Sequence, residues 1–254
     1  MANNQESPYG KTAVVTGSSS GIGRAIALEL ARAGAHVLVH ARQNKDDAQD
    51  VATHIRSSGR DAPVVLADLS EADEQDRLLE AASKWRPIDI WVNNAGADVL
   101  TGAAATWSFE EKLTALWKVD VMATLRLSRA VGRRMRERGH GVILNMGWDQ
   151  AETGMAGDSG ELFAAAKGAV MAATRSLAKS LAPQVRVNCI APGWIRTDWG
   201  QHASAEWQER AQRESLLGRW GHPEDVARIA CFLVSPAAGF INGQIISING
   251  GRPF

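Results

Sequence analysis

Apolar runs of a few residues recur along the whole chain and alternate with longer amphipathic stretches. The short runs are rich in Val, Ile and Leu and lack alternating polar positions. That pattern is typical of parallel strands that are covered on both faces of a sheet. It predicts seven strands, over residues 12–15, 35–39, 63–67, 88–92, 142–144, 185–188 and 244–248.

The amphipathic stretches predict helices, several of which carry residues that favour a helix end. Gly34 and Gly59 can each end a helix in the left-handed conformation. Ser70 can act as the N-cap of a helix that Pro87 then ends. Pro223 suits the first turn of a later helix. The predicted helices cover residues 22–33, 46–58, 70–85, 110–138, 161–181 and 223–233.

This alternation predicts a doubly wound α/β fold, in which a parallel seven-stranded sheet with right-handed crossovers carries helices on both faces. No linker or internal repeat interrupts the pattern, so residues 1–254 are expected to form a single domain, with residues 1–10 as a flexible N-terminus. Of the 254 residues, 45% are apolar and 22% are charged, which is sufficient for a substantial buried core.

Charge and cysteine content narrow the classes of partner. Lys and Arg total 28 and Asp and Glu total 28, so the formal net charge of zero gives no reason to expect nucleic acid or a membrane surface. Cys189 and Cys231 lie in apolar runs, which favours buried thiols over a disulfide or a metal site. The chain begins without the apolar stretch of a signal peptide and has no apolar run of ~18 residues. We therefore expect a cytoplasmic protein that takes a small-molecule substrate and holds no metal.

A glycine-rich loop follows the first predicted strand and opens the first helix. It reads Thr16-Gly17-Ser18-Ser19-Ser20-Gly21-Ile22-Gly23. Glycines allow the chain to turn tightly and allow a phosphate to approach the backbone, while the helix that follows points its first amides at the ligand. The position of the loop between a strand and a helix predicts a dinucleotide site.

The end of the second strand bears on which dinucleotide binds. A site for NAD(H) has a carboxylate there for the ribose hydroxyls. In this chain Ala41 occupies that place, and Arg42 follows it. A guanidinium suits a 2′-phosphate, so the sequence favours NADP(H) over NAD(H). The alternative is that His40 and Arg42 are ordinary exposed loop residues.

Further motifs follow along nearly the whole chain. Together with the glycine-rich loop, they are Thr16 to Gly23, Asp68-Leu69, Asn93 to Gly96, Lys167, Ala191-Pro192-Gly193, Thr197, Gly221 to Ala227 and Asn249-Gly250-Gly251. These motifs resemble the classical short-chain dehydrogenase/reductase family, and the 3-oxoacyl-acyl carrier protein reductases are the most similar type. The resemblance implies a Rossmann-type fold, a nicotinamide cofactor and a homo-tetramer built on two long helices and the last strand.

The resemblance also implies roles in cofactor binding. Asp68 is expected near the adenine, Thr197 near the nicotinamide carboxamide, and Lys167 on the ribose, although a solvated Lys167 is the alternative. The cofactor-binding residues expected from the loop and the resemblance together are Thr16, Gly17, Ser19, Ser20, Gly21, Ile22, Gly23, Arg42, Asp68, Leu69, Asn94, Ala95, Gly96, Lys167, Pro192, Gly193, Ile195 and Thr197.

The catalytic positions depart from the family pattern. Members of the family usually reduce a carbonyl with a Tyr that donates a proton, a Lys four residues later, a Ser and an Asn. Here Lys167 is present, but Phe163 stands four residues before it, Trp148 stands in place of the Ser, and Asp120 in place of the Asn. The only tyrosine is Tyr9, so the usual proton transfer, worth about 10²–10⁴-fold, is excluded.

Two groups of side chains near these positions suggest other chemistry. Carboxylates follow the fifth strand, and aromatic residues lie in segments that should border the same pocket, an arrangement that suits a cation. The alternative is a solvated acidic loop with the aromatic residues in the core or at an interface. The carboxylates are Asp149, Glu152, Asp158 and Glu161, and the aromatic residues are Trp148, Phe163, Trp194, Trp199 and Trp207.

Two functional hypotheses follow. The first is an atypical NADP(H)-dependent oxidoreductase for an activated, iminium-like or cationic small molecule, in which Asp149 or Glu161 stabilises the cation or relays a proton. Asp120 can instead pair with Lys167, directly or through water. The second is a catalytically silent cofactor-binding protein, a pseudoenzyme that acts as a sensor or as a partner subunit. A conventional 3-oxoacyl-acyl carrier protein reductase is less favoured. The candidate catalytic residues are Lys167, Asp120, Trp148, Phe163, Asp149 and Glu161.

Overall fold

The computed structural model describes residues 8–252, which form one parallel sheet of seven strands in the order β3-β2-β1-β4-β5-β6-β7. The predicted doubly wound fold is confirmed. The strand order reverses between β1 and β4, and ligands of such sheets bind in the crevice beyond the carboxyl ends at this point. The strands are β1 Thr12–Val15, β2 His36–Ala41, β3 Val64–Leu66, β4 Ile90–Asn93, β5 Gly141–Met146, β6 Val185–Pro192 and β7 Ile245–Ile248.

Helices cover both faces of the sheet, and the strand residues alternate between the two cores. Ala13 and Val15 pack with α1, α2 and α9, whereas Val14 packs with α3, α5 and α6 on the other face. The α-helices are α1 Gly21–Arg32, α2 Lys45–Ser57, α3 Ala72–Trp85, α4 Phe109–Leu116, α5 Thr124–Arg138, α6 Asp158–Leu181, α7 Asp198–His202, α8 Ala205–Arg213 and α9 Pro223–Val234.

The predicted helix over residues 110–138 differs from the structure in its middle. A π-helical segment, Trp117–Ala123, joins α4 to α5 while the backbone stays helical throughout. A π-helix widens the turn and is often found at functional sites, and this segment carries Asp120. The start of the combined helix is fixed by Ser108 and Glu111, which form a capping box.

Two further expectations need correction. Glu71, not Ser70, is the N-cap residue of α3, because the Ser70 N–H is turned to the Asp68 carboxylate at 2.9 Å. Helices α7 and α8 are absent from the predicted set, because they are short and polar. Residues 1–7 of the expected flexible N-terminus lie outside the described residues, whereas the Gly10 N–H donates to the carbonyl of Gly34 at 2.9 Å.

A buried polar network connects the sheet to the helices behind the crevice. The Asn93 amide donates to Ser128 and to Asn145, both at 2.8 Å, and the Asn145 amide donates to Thr174 at 2.9 Å. Buried polar groups need such partners. The network therefore fixes β4 and β5 to α5 and α6. No helix among residues 8–252 has the length and apolar character needed to cross a membrane.

Candidate active site

The glycine-rich loop lies at the point where the strand order reverses, and two of its glycines leave no room for a side chain. A Cβ on Gly23 would stand 2.2 Å from the carbonyl oxygen of Gly17, and Gly17 itself has a φ of +62°. Asn94 ties this loop to the loop after β4, since its side-chain amide donates to the carbonyls of Thr16 and Gly17 at 3.0 Å. The cradle at the start of α1 fits a pyrophosphate.

The buried His40 side chain forms a hydrogen bond with the backbone of the glycine-rich loop. Its Nδ1 accepts a hydrogen bond from the Gly17 N–H at 2.9 Å, and its Nε2 lies 3.0 Å from the carbonyl oxygen of Ala67. Burial lowers the pKa of His40 to about 4, so the ring is neutral, with its proton on Nε2. The alternative of an exposed loop histidine is therefore wrong.

Arg42 and Asp68 lie at one end of the crevice, where they line a cleft of about 590 Å³ together with Ser70 and Lys118. Arg42 is exposed, as a residue that contacts a 2′-phosphate must be. Leu69, expected beside the cofactor, instead has its side chain buried in the core under α3 and α5.

Lys167 and Asp120 form a direct ion pair. The Lys167 Nζ is 2.7 Å from the Asp120 Oδ2, and the two side chains are only 13% and 1% exposed. The second carboxylate oxygen, Oδ1, accepts a hydrogen bond from the Ala97 N–H at 2.8 Å. Of the two arrangements that the sequence allowed, the structure has the direct one. The ammonium charge of Lys167 is therefore compensated inside the site.

A pocket of about 450 Å³ opens above this pair. The expected aromatic residues all border it: Trp148, Phe163, Trp194, Trp199 and Trp207. Trp148 and Phe163 meet edge to face with ring centroids 6.2 Å apart, a favourable geometry for aromatic pairs. Seven of the expected cofactor residues line the same pocket, namely Ile22, Asn94, Lys167, Pro192, Gly193, Ile195 and Thr197. The cofactor crevice and the aromatic pocket are therefore continuous.

One wall of the pocket belongs to a cluster of four indoles: Trp194, Trp199, Trp207 and Trp220. The shortest centroid distance in this cluster, 5.3 Å, separates Trp194 from Trp207. The Arg210 guanidinium lies over both of these rings, at 5.8 and 5.0 Å. Arg210 and Trp220 were not anticipated, because helix α8 was missed and Trp220 lies in a loop.

The expected carboxylates do not reach the pocket. No Asp or Glu lines it among the described residues, and Glu161 is exposed at the start of α6. Successive helical residues differ by about 100°, so Glu161 lies about 200° around the helix from Phe163, on the far side. The prediction of a carboxylate-rich pocket is wrong. The same geometry instead brings Ser159, four residues before Phe163, into the lining.

Asp149 faces away from the pocket, towards the end of the chain. Its Oδ2 lies 2.9 Å from the Nη2 of Arg252 and accepts from the Asn249 side chain at 3.0 Å. Burial raises the pKa of this carboxyl despite these partners. Asp149 is therefore not placed to contact a substrate.

The chain is similar to known oxidoreductases over nearly its whole length. A sequence profile described as Enoyl-(Acyl carrier protein) reductase matches residues 17–252. The chain is 34% identical over 250 residues to "Dehydrogenase/reductase SDR family member 4" of Mus musculus, covering 96% of this chain and 87% of the relative. It is 33% identical over 249 residues to a 3-oxoacyl acyl-carrier-protein reductase of Staphylococcus aureus, covering 95% and 97%.

Solved structures with bound cofactors are also similar. A 7 alpha-hydroxysteroid dehydrogenase complexed with NADH and 7-oxo glycochenodeoxycholic acid matches with a TM-score of 0.89 and 32% identity, over 99% of this chain and 98% of that one. A 3-oxoacyl acyl-carrier-protein reductase of Agrobacterium tumefaciens C58 with NADP bound matches with a TM-score of 0.87 and 32% identity, over 97% and 95%.

The role of His40 predicts a pH dependence of stability. Because the folded state lowers the pKa from 6.5 to about 4, the unfolded chain takes up the extra proton between these values. The stabilisation is complete above pH 6.5 and is lost as the pH falls, by about 3 kcal/mol in all. Urea unfolding of His40→Leu should show lower stability at pH 7 and a smaller loss towards pH 4 than the unaltered protein. The exposed His54→Gln is the control, and an unchanged pH dependence in His40→Leu would contradict this role.

Proposed function

Because this chain belongs to the short-chain dehydrogenase/reductase family, we propose that it is an NADP(H)-dependent oxidoreductase that acts on an activated, iminium-like or cationic small molecule. One observation carries the proposal. The rings of Trp148 and Phe163 pack against each other where the family has its hydroxyl groups, beside an intact cofactor crevice and a compensated lysine. Such a site can position a substrate for hydride transfer but has no phenol to protonate it.

The choice of substrate class rests on how charge changes in the reaction. When hydride adds to an iminium carbon, the π electrons of the C=N bond become a lone pair on nitrogen, and no proton is needed. A neutral ketone instead develops an alkoxide, which requires a donor. Bound nicotinamide would supply the hydride, and the protein has to orient the substrate and exclude water.

The electrostatics of the pocket also favour a cation. Lys167 is the one charged residue that lines it in the described part of the chain, and Asp120 cancels that charge at 2.7 Å. An asparagine at position 120 would leave the ammonium uncompensated and repel a cationic substrate. The aromatic walls present negative ring faces, which attract cations.

NADP(H) is the proposed cofactor. Proteins similar in structure carry NADP or NADH, so a nicotinamide dinucleotide is supported, and the finer preference rests on Arg42. Ala41 ends β2 where a carboxylate would bind the ribose hydroxyls, and the exposed Arg42 guanidinium is free to pair with a 2′-phosphate.

A catalytically silent role, as a sensor or a partner subunit, is the second candidate. It is supported by the same aromatic contact, because Phe163 and Trp148 replace both hydroxyl groups while the glycine cradle is retained. A silent protein would bind the dinucleotide without turning over any imine or ketone.

For NADP(H) preference, the test is Arg42→Ala. Loss of a charge-assisted contact of about 1.5–3 kcal/mol should weaken NADPH binding by about 10- to 100-fold and leave NADH binding unchanged. Dissociation constants from calorimetry check this. Arg32→Ala, at an exposed arginine paired with Glu29 at the far end of α1, is the control. The preference is rejected if the unaltered protein binds NADPH no more tightly than NADH.

Turnover with NADPH separates the two candidate functions. We expect reduction of cyclic iminium compounds and very slow reduction of ketones. The double variant Phe163→Tyr, Trp148→Ser should raise ketone reduction by about 10²–10⁴-fold, because it returns a proton donor and a hydroxyl to the pocket. Phe232→Tyr, at an exposed ring on α9, is the matched control. If no compound is reduced although NADPH binds, the silent role is the correct one.

We further propose a homo-tetramer, which the family resemblance suggests and two exposed faces support. Trp117 and Met122 are 44% and 56% exposed on the π-helical segment, and a Cβ on Gly168 of α6 would meet nothing within 4 Å. Apolar surface and small residues on long helices allow close helix packing between subunits. Light scattering should give four times the chain mass, and a monomer would reject the assembly.

A further inference from the structure

The loop after β5 is fastened to the end of the chain by a buried carboxylate. Asp149 is 6% exposed, and its Oδ2 accepts two hydrogen bonds, from the Asn249 amide and from the Nε of Arg252, both at 3.0 Å. The Nη2 of Arg252 lies 2.9 Å from the same oxygen as an ion-pair contact. Asn249 and Arg252, the two partners of Asp149, both lie after β7 in the chain. We call the group of Asp149, Asn249 and Arg252 the tail clamp.

The tail clamp also packs against the loop after β6. Gly193, which lines the pocket, donates its N–H to the carbonyl of Ile248 at 3.0 Å. A Cβ on Gly193 would stand 2.6 Å from the Cβ of Asn249 and 3.3 Å from the Asp149 Oδ2. The clamp therefore supports Gly193 from behind, on the side opposite the pocket.

The residue after Asp149 connects to the facing wall. The Gln150 amide donates to the Glu214 carboxylate at 3.2 Å, and the same carboxylate accepts from the Trp194 indole N–H at 2.9 Å. The Glu214 Oε1 also pairs with the Arg210 Nε at 2.7 Å. Trp148 directly precedes Asp149. Residues 148–150 therefore contribute one aromatic wall, through Trp148, and contact the other, through the Gln150 bond to Glu214.

We propose that Arg252 is a positioning residue, which, through Asp149, sets the separation of the Trp148 wall and the Trp194 wall and the place of Gly193 between them. The inference deepens the proposed function and rests on it for the identity of the ligand. Arg252 is the one cation paired with Asp149 among residues 8–252, and the Oδ1 of Asp149 is buried without a hydrogen-bond partner there.

Loss of Arg252 would have a local effect for a physical reason. A buried carboxylate without its cation is unstable and must reach water. The loop that carries Asp149 is held by few backbone bonds, among them the Ala151 N–H to Trp148 at 3.1 Å and the Gly154 N–H to Gln150 at 2.8 Å. The loop can therefore open and hydrate the carboxylate while the sheet stays intact.

The experiment compares Arg252→Gln with the unaltered protein by amide hydrogen exchange. Exchange at residues 151–154 should rise by about tenfold while the amides of β1 keep their rates. NADPH should bind about tenfold more weakly, because Gly193 loses its support. Arg252→Lys should return both values most of the way, since the ammonium still compensates Asp149. The double variant Asp149→Asn, Arg252→Gln should do the same, because it removes the uncompensated charge.

The control is Arg228→Gln, at an exposed arginine of α9 whose ion pair with Asp225 lies outside the clamp. Unchanged exchange at residues 151–154 in Arg252→Gln would overturn the proposal. So would faster exchange across the whole sheet with a lowered melting temperature, which would make Arg252 a purely structural residue. The exchange measurement needs no turnover, so a protein that reduces no iminium compound contradicts the proposed function and leaves this test intact.

Discussion

Lys167 and Asp120 are taken almost completely out of water together, with their charged atoms 2.7 Å apart. Removing two ions from water is expensive, and their attraction offsets the cost only when the geometry is good and the remaining lone pairs are satisfied. The structure meets both conditions. The widened turn at Asp120 brings its carboxylate to the ammonium, and the Ala97 N–H occupies the other oxygen. The contact joins the π-helical segment to α6, and the Ala97 N–H adds the loop after β4.

The compensated pair is a further departure of the pocket from the family pattern, in addition to Trp148 and Phe163. A buried ammonium opposite an asparagine would present a net positive charge to the substrate, whereas here the polar end of the pocket is electrically neutral. The walls are aromatic, and the Arg210 guanidinium already lies over two of the indoles from behind. A neutral floor with electron-rich walls is consistent with the proposal that the reacting molecule is itself a cation.

The strands and most helices could be predicted because their residues repeat with the right period and end at Gly or Pro. The π-helical segment could not, since one additional residue per turn leaves the apolar pattern of residues 110–138 almost unchanged. The carboxylates were misplaced for a related reason. Glu161 is close to Phe163 in the sequence, but two residues of a helix point in nearly opposite directions.

Contacts between distant segments were also beyond the sequence. Nothing in residues 249–252 signals that Arg252 meets Asp149, since more than a hundred positions separate them. Only the folded sheet brings β7 beside β6, one strand away from β5. His40 gave no signal of its own either. Its position after the predicted second strand suggested a loop residue. In the structure β2 extends through His40 and pairs with β1, and the His40 ring bonds to the Gly17 N–H.

The indoles around the pocket give the protein an optical property. Four of them line it, and the cluster that holds three of these four has ring centroids 5.3 to 6.2 Å apart. Indole fluorescence overlaps the absorption band of reduced nicotinamide, so a dihydronicotinamide bound beside these rings would accept their excitation energy. The ultraviolet emission of the protein would then fall as the reduced dinucleotide binds.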